Sequence, residues 1–245
     1  MIRPARDEGG TQDKDARMTL SRRTLLTGLG LTAGGVGLGL THSTASATTA
    51  TALTAGWTQT PFTFHVQKPY DLAVADRYTH TANGEHHLWV YDTDKLHTPN
   101  TSSTDPRTEM RWQQEYTAGE HMWDGDVYLP AGTDGATFVQ ILRSQRPEGT
   151  PATDFMLNVY NEAGGTVRAY SGKVIKTGMY DRWFNVKIAH NATTGTVQVW
   201  FDNAPVAVHN DTDRGPATRH FKNGVYHHGT GRAESRFRNL TYWTR

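Results

Sequence analysis

From Trp57 onward the chain sustains no apolar period of 3.6 residues over the length of a helix, and this restricts its fold more than any other feature. In place of helices it has short segments rich in Val, Ile, Phe, Tyr, Trp and Thr. Clusters of Gly, Pro, Asn and Asp separate them at the intervals of an all-β sandwich. Strands are expected over 63–66, 86–91, 108–113, 121–129, 137–142, 155–160, 166–171, 173–177, 183–190, 195–202, 205–209, 224–227 and 235–242. Asn83-Gly84 and Thr194-Gly195 can supply the positive φ of tight hairpins, and Asp202-Asn203 before Ala204-Pro205 marks another. With 36% hydrophobic residues among 245, there is apolar material for one substantial domain rather than two.

Residues 1–47 read as an export signal: a charged start, the pair Arg22-Arg23, an apolar Gly-rich run over 25–40 and a small-residue cleavage site at Ala45-Ser46-Ala47. The adjacent arginines indicate the twin-arginine route. Residues 48–56, rich in Thr and Ala, read as a flexible leader, which leaves 57–245 as the folded domain. The apolar run is short and diluted for a membrane span, so a secreted, extracellular monomer without stable membrane association after signal removal is expected. Residues 1–47 hold six of the 25 basic and four of the 24 acidic residues, leaving 19 against 20 and a net charge of about −1. Such a domain has no broad basic field for nucleic acid, so any anion must be recognised locally. The absence of cysteine removes thiolate ligands and a Cys nucleophile.

Three stretches concentrate polar groups on one side of a strand. In Arg107-Thr-Glu-Met-Arg111, alternation places Arg107, Glu109 and Arg111 on one face and Thr108 and Met110 on the other. In Phe221-Lys-Asn-Gly-Val-Tyr226 it groups Lys222, Gly224 and Tyr226 against Phe221 and Val225, and Gln140 stands alone between Val139 and Ile141. Such a face suits an acidic ligand. The loop over 96–106, rich in Thr, Ser, Asn and Pro, leads into Arg107.

These stretches resemble the motifs of the alginate-lyase-2 superfamily of polysaccharide lyases: Arg107 to Arg111 its Arg-Thr-Glu-Leu-Arg, Gln140-Ile141 its Gln-Ile-His, and Phe221 to Tyr226 its Phe-Lys-Ala-Gly-x-Tyr. The resemblance covers most of 57–245. The segments 87–95, 105–109 and 116–119 look closer to the branch of glucuronan lyases, family 20, and plant citrate-binding-like proteins. It implies a β-jelly-roll sandwich of two antiparallel sheets whose concave sheet holds an acidic polysaccharide, with a structural calcium possible and no cofactor needed for the chemistry. Where family 7 alginate lyases carry the His of Gln-Ile-His, this chain has Leu142.

A uronate lyase removes the C5 proton beside a carboxylate and expels O4 of the neighbouring sugar, so it must neutralise that carboxylate and the dianion that develops from it. Arg107 can pair with it in a bidentate fashion, Gln140 can donate an amide N–H, and Lys222 and Arg111 can support them. Tyr226 is the acid candidate. It also serves as base where nearby cations favour phenolate. By resemblance to the upstream histidine of glucuronan lyases, His97 is the other candidate base. In β-linked D-glucuronate and D-mannuronate, H5 and O4 lie on one side of the ring, so a single group can move both protons and Leu142 is tolerable. The expected substrate is therefore glucuronan or a mannuronate-type polymer.

Each of these residues also has a plainer reading. Glu109 is expected mainly to orient the arginines, and His228, which shares the face of Tyr226, is a subsite contact or an ordinary loop histidine. Asp92, Asp94, Asp124 and Asp126 are the oxygen donors for a calcium. Trp89, Trp123 and Trp200 either stack on sugars or fill the core. The rival from another class is a noncatalytic binder of an acidic glycan or small polycarboxylate.

Overall fold

In the computed structural model, residues 53–99, 104–170, 172–210 and 215–245 are described. The expected export signal, 1–47, and the first part of the leader, 48–52, lie outside the described residues, as does 100–103 of the long loop. The strands are Thr58–Thr60 (β1), Phe64–Gln67 (β2), Tyr78–His80 (β3), His86–Tyr91 (β4), Arg107–Trp112 (β5), Glu120–Tyr128 (β6), Ala136–Ser144 (β7) and Thr153–Tyr160 (β8). They continue as Thr166–Ala169 (β9), Lys173–Lys176 (β10), Trp183–Asn191 (β11), Thr196–Phe201 (β12), Ala204–Asn210 (β13), Thr218–His227 (β14) and Arg232–Thr244 (β15).

They form two antiparallel sheets. One has the order β10-β9-β8-β7-β14-β5-β2, and the other β13-β12-β11-β6-β15-β4-β3, with β1 on β15. We call them the site sheet and the back sheet. The last two strands of the chain are central: β14 lies between β7 and β5, and β15 between β6 and β4.

Alternation determines what lies between the sheets. β5 sends Thr108, Met110 and Trp112 inward, β7 Val139 and Ile141, and β14 Phe221 and Val225, against Trp123, Val127, Val186, Ile188 and Phe237 of the back sheet. Each large apolar side chain buried in this way contributes roughly 1.5–3 kcal/mol. The one amide in the middle, Asn223, is fully buried; its Oδ1 accepts from the indole N–H groups of Trp112 at 2.7 Å and Trp123 at 3.4 Å. Two indoles are thereby satisfied without water.

At one end, the interior holds charge. Asp154 is paired with Arg143 at 3.0 Å and Arg219 at 2.5 Å, and His190 of β11 lies beside it with Nδ1 3.0 Å from the Tyr116 hydroxyl. Arg143 and Arg219 also donate to the carbonyls of Pro151, Gly215 and Ala217, which ties the loops at that end to the sheets.

Two strands escape the sequence reading. β1 and β3 have three residues each, too few to show a period. β14 also starts six residues before the expected 224, because its buried Arg219 and His220 interrupt the apolar signal.

Candidate active site

The register of the site sheet brings the separate motifs into rows. One row runs His65, Arg111, Lys222, Gln140, Met156 across β2, β5, β14, β7 and β8. The other runs Arg107, Tyr226, Thr137, Asn158, Arg168 across β5, β14, β7, β8 and β9. Between them Glu109 faces Gly224, and the close approach of these strands requires glycine. Gly224 has φ +147°, and a Cβ there would lie 2.3 Å from the Thr108 carbonyl oxygen.

Glu109 is the hub. Only 1% exposed, it accepts from Lys222 Nζ at 3.1 Å, from Arg107 at 3.4 Å and from the Gln140 amide. Burial alone would push its carboxyl up, but Lys222 and Arg107, with the two hydrogen bonds, hold it below its ordinary value. Lys222 is moved down by burial, with Glu109 pulling the other way, and it also donates to Gln67. The carboxylate thus fixes three donors side by side, Arg107 alone of the two arginines among them.

Tyr226 is held from three directions. The Arg107 guanidinium lies 4.1 Å over its ring, the His228 ring meets it edge to face at 4.2 Å, and the Asp105 backbone N–H donates to its hydroxyl at 3.3 Å. His228 is itself paired through Nδ1 with Asp105 at 2.7 Å, and its Nε2 lies 3.5 Å from the Thr137 hydroxyl. His97 is on the same side of the molecule: Arg107, Lys222 and Glu109 all act on it electrostatically. Its Nδ1 faces the Lys68 carbonyl at 3.0 Å. A carbonyl only accepts, so Nδ1 carries the proton and Nε2 of the neutral ring is left with a lone pair. Burial moves the His97 pKa down, and the charges of Arg107 and Lys222 add to this against the Lys68 carbonyl.

Arg111 is the exception among the expected donors. Its guanidinium turns to the Trp112 carbonyl, the Gln113 side chain and Glu115, rather than to Glu109. Three residues of this face were missed from sequence. Gln67 and His65 belong to β2, an edge strand with no motif, and His220 sits two residues before Lys222 on the same face of β14. His220 is 2% exposed and neither ring nitrogen has a hydrogen-bond partner among the described residues; burial, aided by Arg111 and Lys222, brings its pKa down to about 3. It is the register partner of Leu142, so an imidazole stands beside the position where the motif lacks one.

Other candidates fall elsewhere. Trp123 is a core residue, fully buried, and Trp89 and Trp200 lie on the back sheet, away from Tyr226. Asp94 is taken by Arg77 at 2.7 Å, Asp124 by Lys187 at 3.1 Å, and Asp126 by Arg238 and Asn239. Among the described residues, no three His, Asp or Glu side chains converge as metal ligands.

Residues 62–243 match the family model described as alginate lyase. The chain belongs to the alginate lyase family. It is 36% identical over 194 residues to the citrate-binding protein of Hevea brasiliensis, covering 76% of this chain and 77% of that protein. Alginate lyase PA1167 from Pseudomonas aeruginosa superimposes with a TM-score of 0.58 at 17% identity, covering 75% of this chain and 98% of that one. The family 7 alginate lyase A1-II′ in complex with a GGMG substrate gives 0.53 at 16% identity, covering 68% and 81%. The two sheets are those of the β-jelly roll of the alginate lyase family, and the family and fold are those of polysaccharide lyases.

Proposed function

We propose that this chain is a secreted polysaccharide lyase that cleaves a β-1,4-linked uronate polymer, of glucuronan or mannuronate type, by β-elimination. One observation carries the reading: Arg107, Gln140 and Lys222 are held together on buried Glu109, directly beside Tyr226. Family membership supports it, and so does the oligosaccharide bound by the related A1-II′.

Arg107 and Gln140 bind the carboxylate of the sugar being cleaved and stabilise the charge that spreads onto it as C5 loses its proton. That electron pair forms the C4–C5 double bond, the C4–O4 bond breaks, and Tyr226 protonates O4. Where H5 and O4 share a ring side, the phenolate form of Tyr226 takes the C5 proton as well. His97, whose Nε2 lone pair is free, is the second base. The test is ultraviolet absorbance of the conjugated double bond with glucuronan, polymannuronate and polyguluronate. A rise with either of the first two supports the proposal, and cleavage of polyguluronate alone refutes the substrate assignment.

The 36% identity to a citrate-binding protein favours a second reading, in which the same cations hold a small polycarboxylate without turnover. Tyr226→Phe separates the two: it removes turnover from a lyase and leaves binding intact, whereas a binder has no turnover to lose.

A further inference from the structure

The seven tryptophans of the chain are unevenly placed. Trp112 and Trp123 are buried in the core, and none of the other five is on the face of Tyr226. Trp89, Trp183, Trp200 and Trp243 each alternate with a buried core residue of the back sheet (Val90, Phe184, Val199 and Tyr242) and so point outward from it, half-buried. Trp57, also half-buried, lies over that outer face with the Arg245 guanidinium 4.5 Å from its ring. A solvated sheet face does not call for five indoles.

Two adjoining cavities of about 190 and 100 Å³ open there, and Trp57, Gln198 and Arg245 are walls of both. Thr194 and Thr196 extend the larger, and Trp200 and Lys187 close the smaller. Gln198 is exposed, between buried Val197 and Val199, and its amide has no hydrogen-bond partner among the described residues. Arg245 uses Nε on Glu120 and Lys187 is paired with Asp124, so the cations are oriented and held while the remaining guanidinium N–H groups stay open. A pyranose needs this combination: flat apolar walls for its C–H faces, and an amide and hydroxyls for its O–H edge. The guanidinium adds a partner for a carboxylate.

We propose that this is a second, noncatalytic glycan site, taking a uronate unit of the same acidic polysaccharide on the side of the molecule opposite Tyr226. The identity of the polymer rests on the function proposed above; the site itself rests on the tryptophans and the cavities. A chain held there keeps further sugars near the active face at a raised effective concentration.

The test pairs affinity electrophoresis in gels containing the uronate polymer with turnover of a short oligouronate, using the full-length chain. Trp57→Ala/Trp200→Ala and, as a milder surface change, Gln198→Ala are compared with the parent. Retardation by the polymer should weaken roughly tenfold in the double variant, the effect of about 1.4 kcal/mol, while kcat/KM on the short substrate stays within about twofold. Retardation unchanged in both variants overturns the site. Retardation of the parent by a neutral glycan but not by the uronate overturns the ligand assignment. If Trp57→Ala/Trp200→Ala lowers the melting temperature of the full-length chain and Gln198→Ala leaves retardation intact, the two indoles are packing residues and the glycan site is overturned. A parent that is retarded by uronate but never cleaves it refutes the lyase reading and leaves this one standing.

Discussion

Tyr226 differs from the other groups on its face in being fixed by contacts to its ring and a single backbone N–H. Replacing it with Phe retains the Arg107 contact and deletes the hydroxyl, which carries the transferable proton and accepts from the Asp105 N–H, so kcat should fall by roughly 10²–10⁴ with KM little changed. Steady-state kinetics on the best substrate will show it, and a fall in affinity alone would make Tyr226 a binding residue. Its oxygen is positioned through Asp105, and Asp105 through His228. Asp105→Ala should therefore lower kcat more than it raises KM; the reverse split would assign the pair to substrate binding. Glu109→Gln leaves Lys222 buried beside a neutral partner, which should cost about 3–5 kcal/mol of stability, read from urea unfolding. A loss under about 1 kcal/mol would mean the hub is not what holds the donors. Sequence alternation was enough to put Arg107 with Glu109, and Lys222 with Tyr226, on one face of their strands, and Gln140 stood out between Val139 and Ile141. It said nothing of where Arg111 would turn. That depends on Glu115, beyond the strand, and His65, Gln67 and His220 carry no motif to attract notice.

At the scale of elements, the decisive contact is between β14 and β5. A Cβ at residue 224 would meet the Thr108 carbonyl oxygen at 2.3 Å and Glu109 Cα at 2.6 Å, so Gly224→Ala forces the two strands apart. Strain and overpacking together should destabilise the protein by roughly 2–4 kcal/mol. They should also displace Tyr226 from Arg107, so activity should be lost below the melting temperature. Full activity in a folded Gly224→Ala protein would show that the row geometry is not needed. The back sheet shows what patterning cannot convey. Apart from β1 and β3, its strands were legible in sequence, yet which sheet Trp89, Trp200 and Trp183 would face was not, because alternation fixes the side of a strand and not the partner it meets.

Over the whole molecule, several imidazoles are kept neutral by burial. His86 and His190 are brought down to about 4 and His220 to about 3, against 6.5 for the free side chain. As pH falls below about 6.5, the unfolded chain binds protons that the folded one refuses, so stability declines until about pH 3–4, where the folded rings also charge. Glu109, held below its ordinary value, adds loss in the same direction once the pH drops under 4.5. Urea midpoints should fall steadily between about pH 7 and about pH 4.5; a flat profile would mean that these rings are hydrated in solution. The central placement of β14 and β15 has a consequence for synthesis. Until residues 218–244 leave the ribosome, β5 and β7 have no strand between them, and neither do β4 and β6. Each sheet then exists only as two unjoined halves with open edges, exposed to aggregation. Lys222 and Tyr226 arrive only with β14, so until then Arg107, Glu109 and Gln140 stand on two unjoined halves of the sheet.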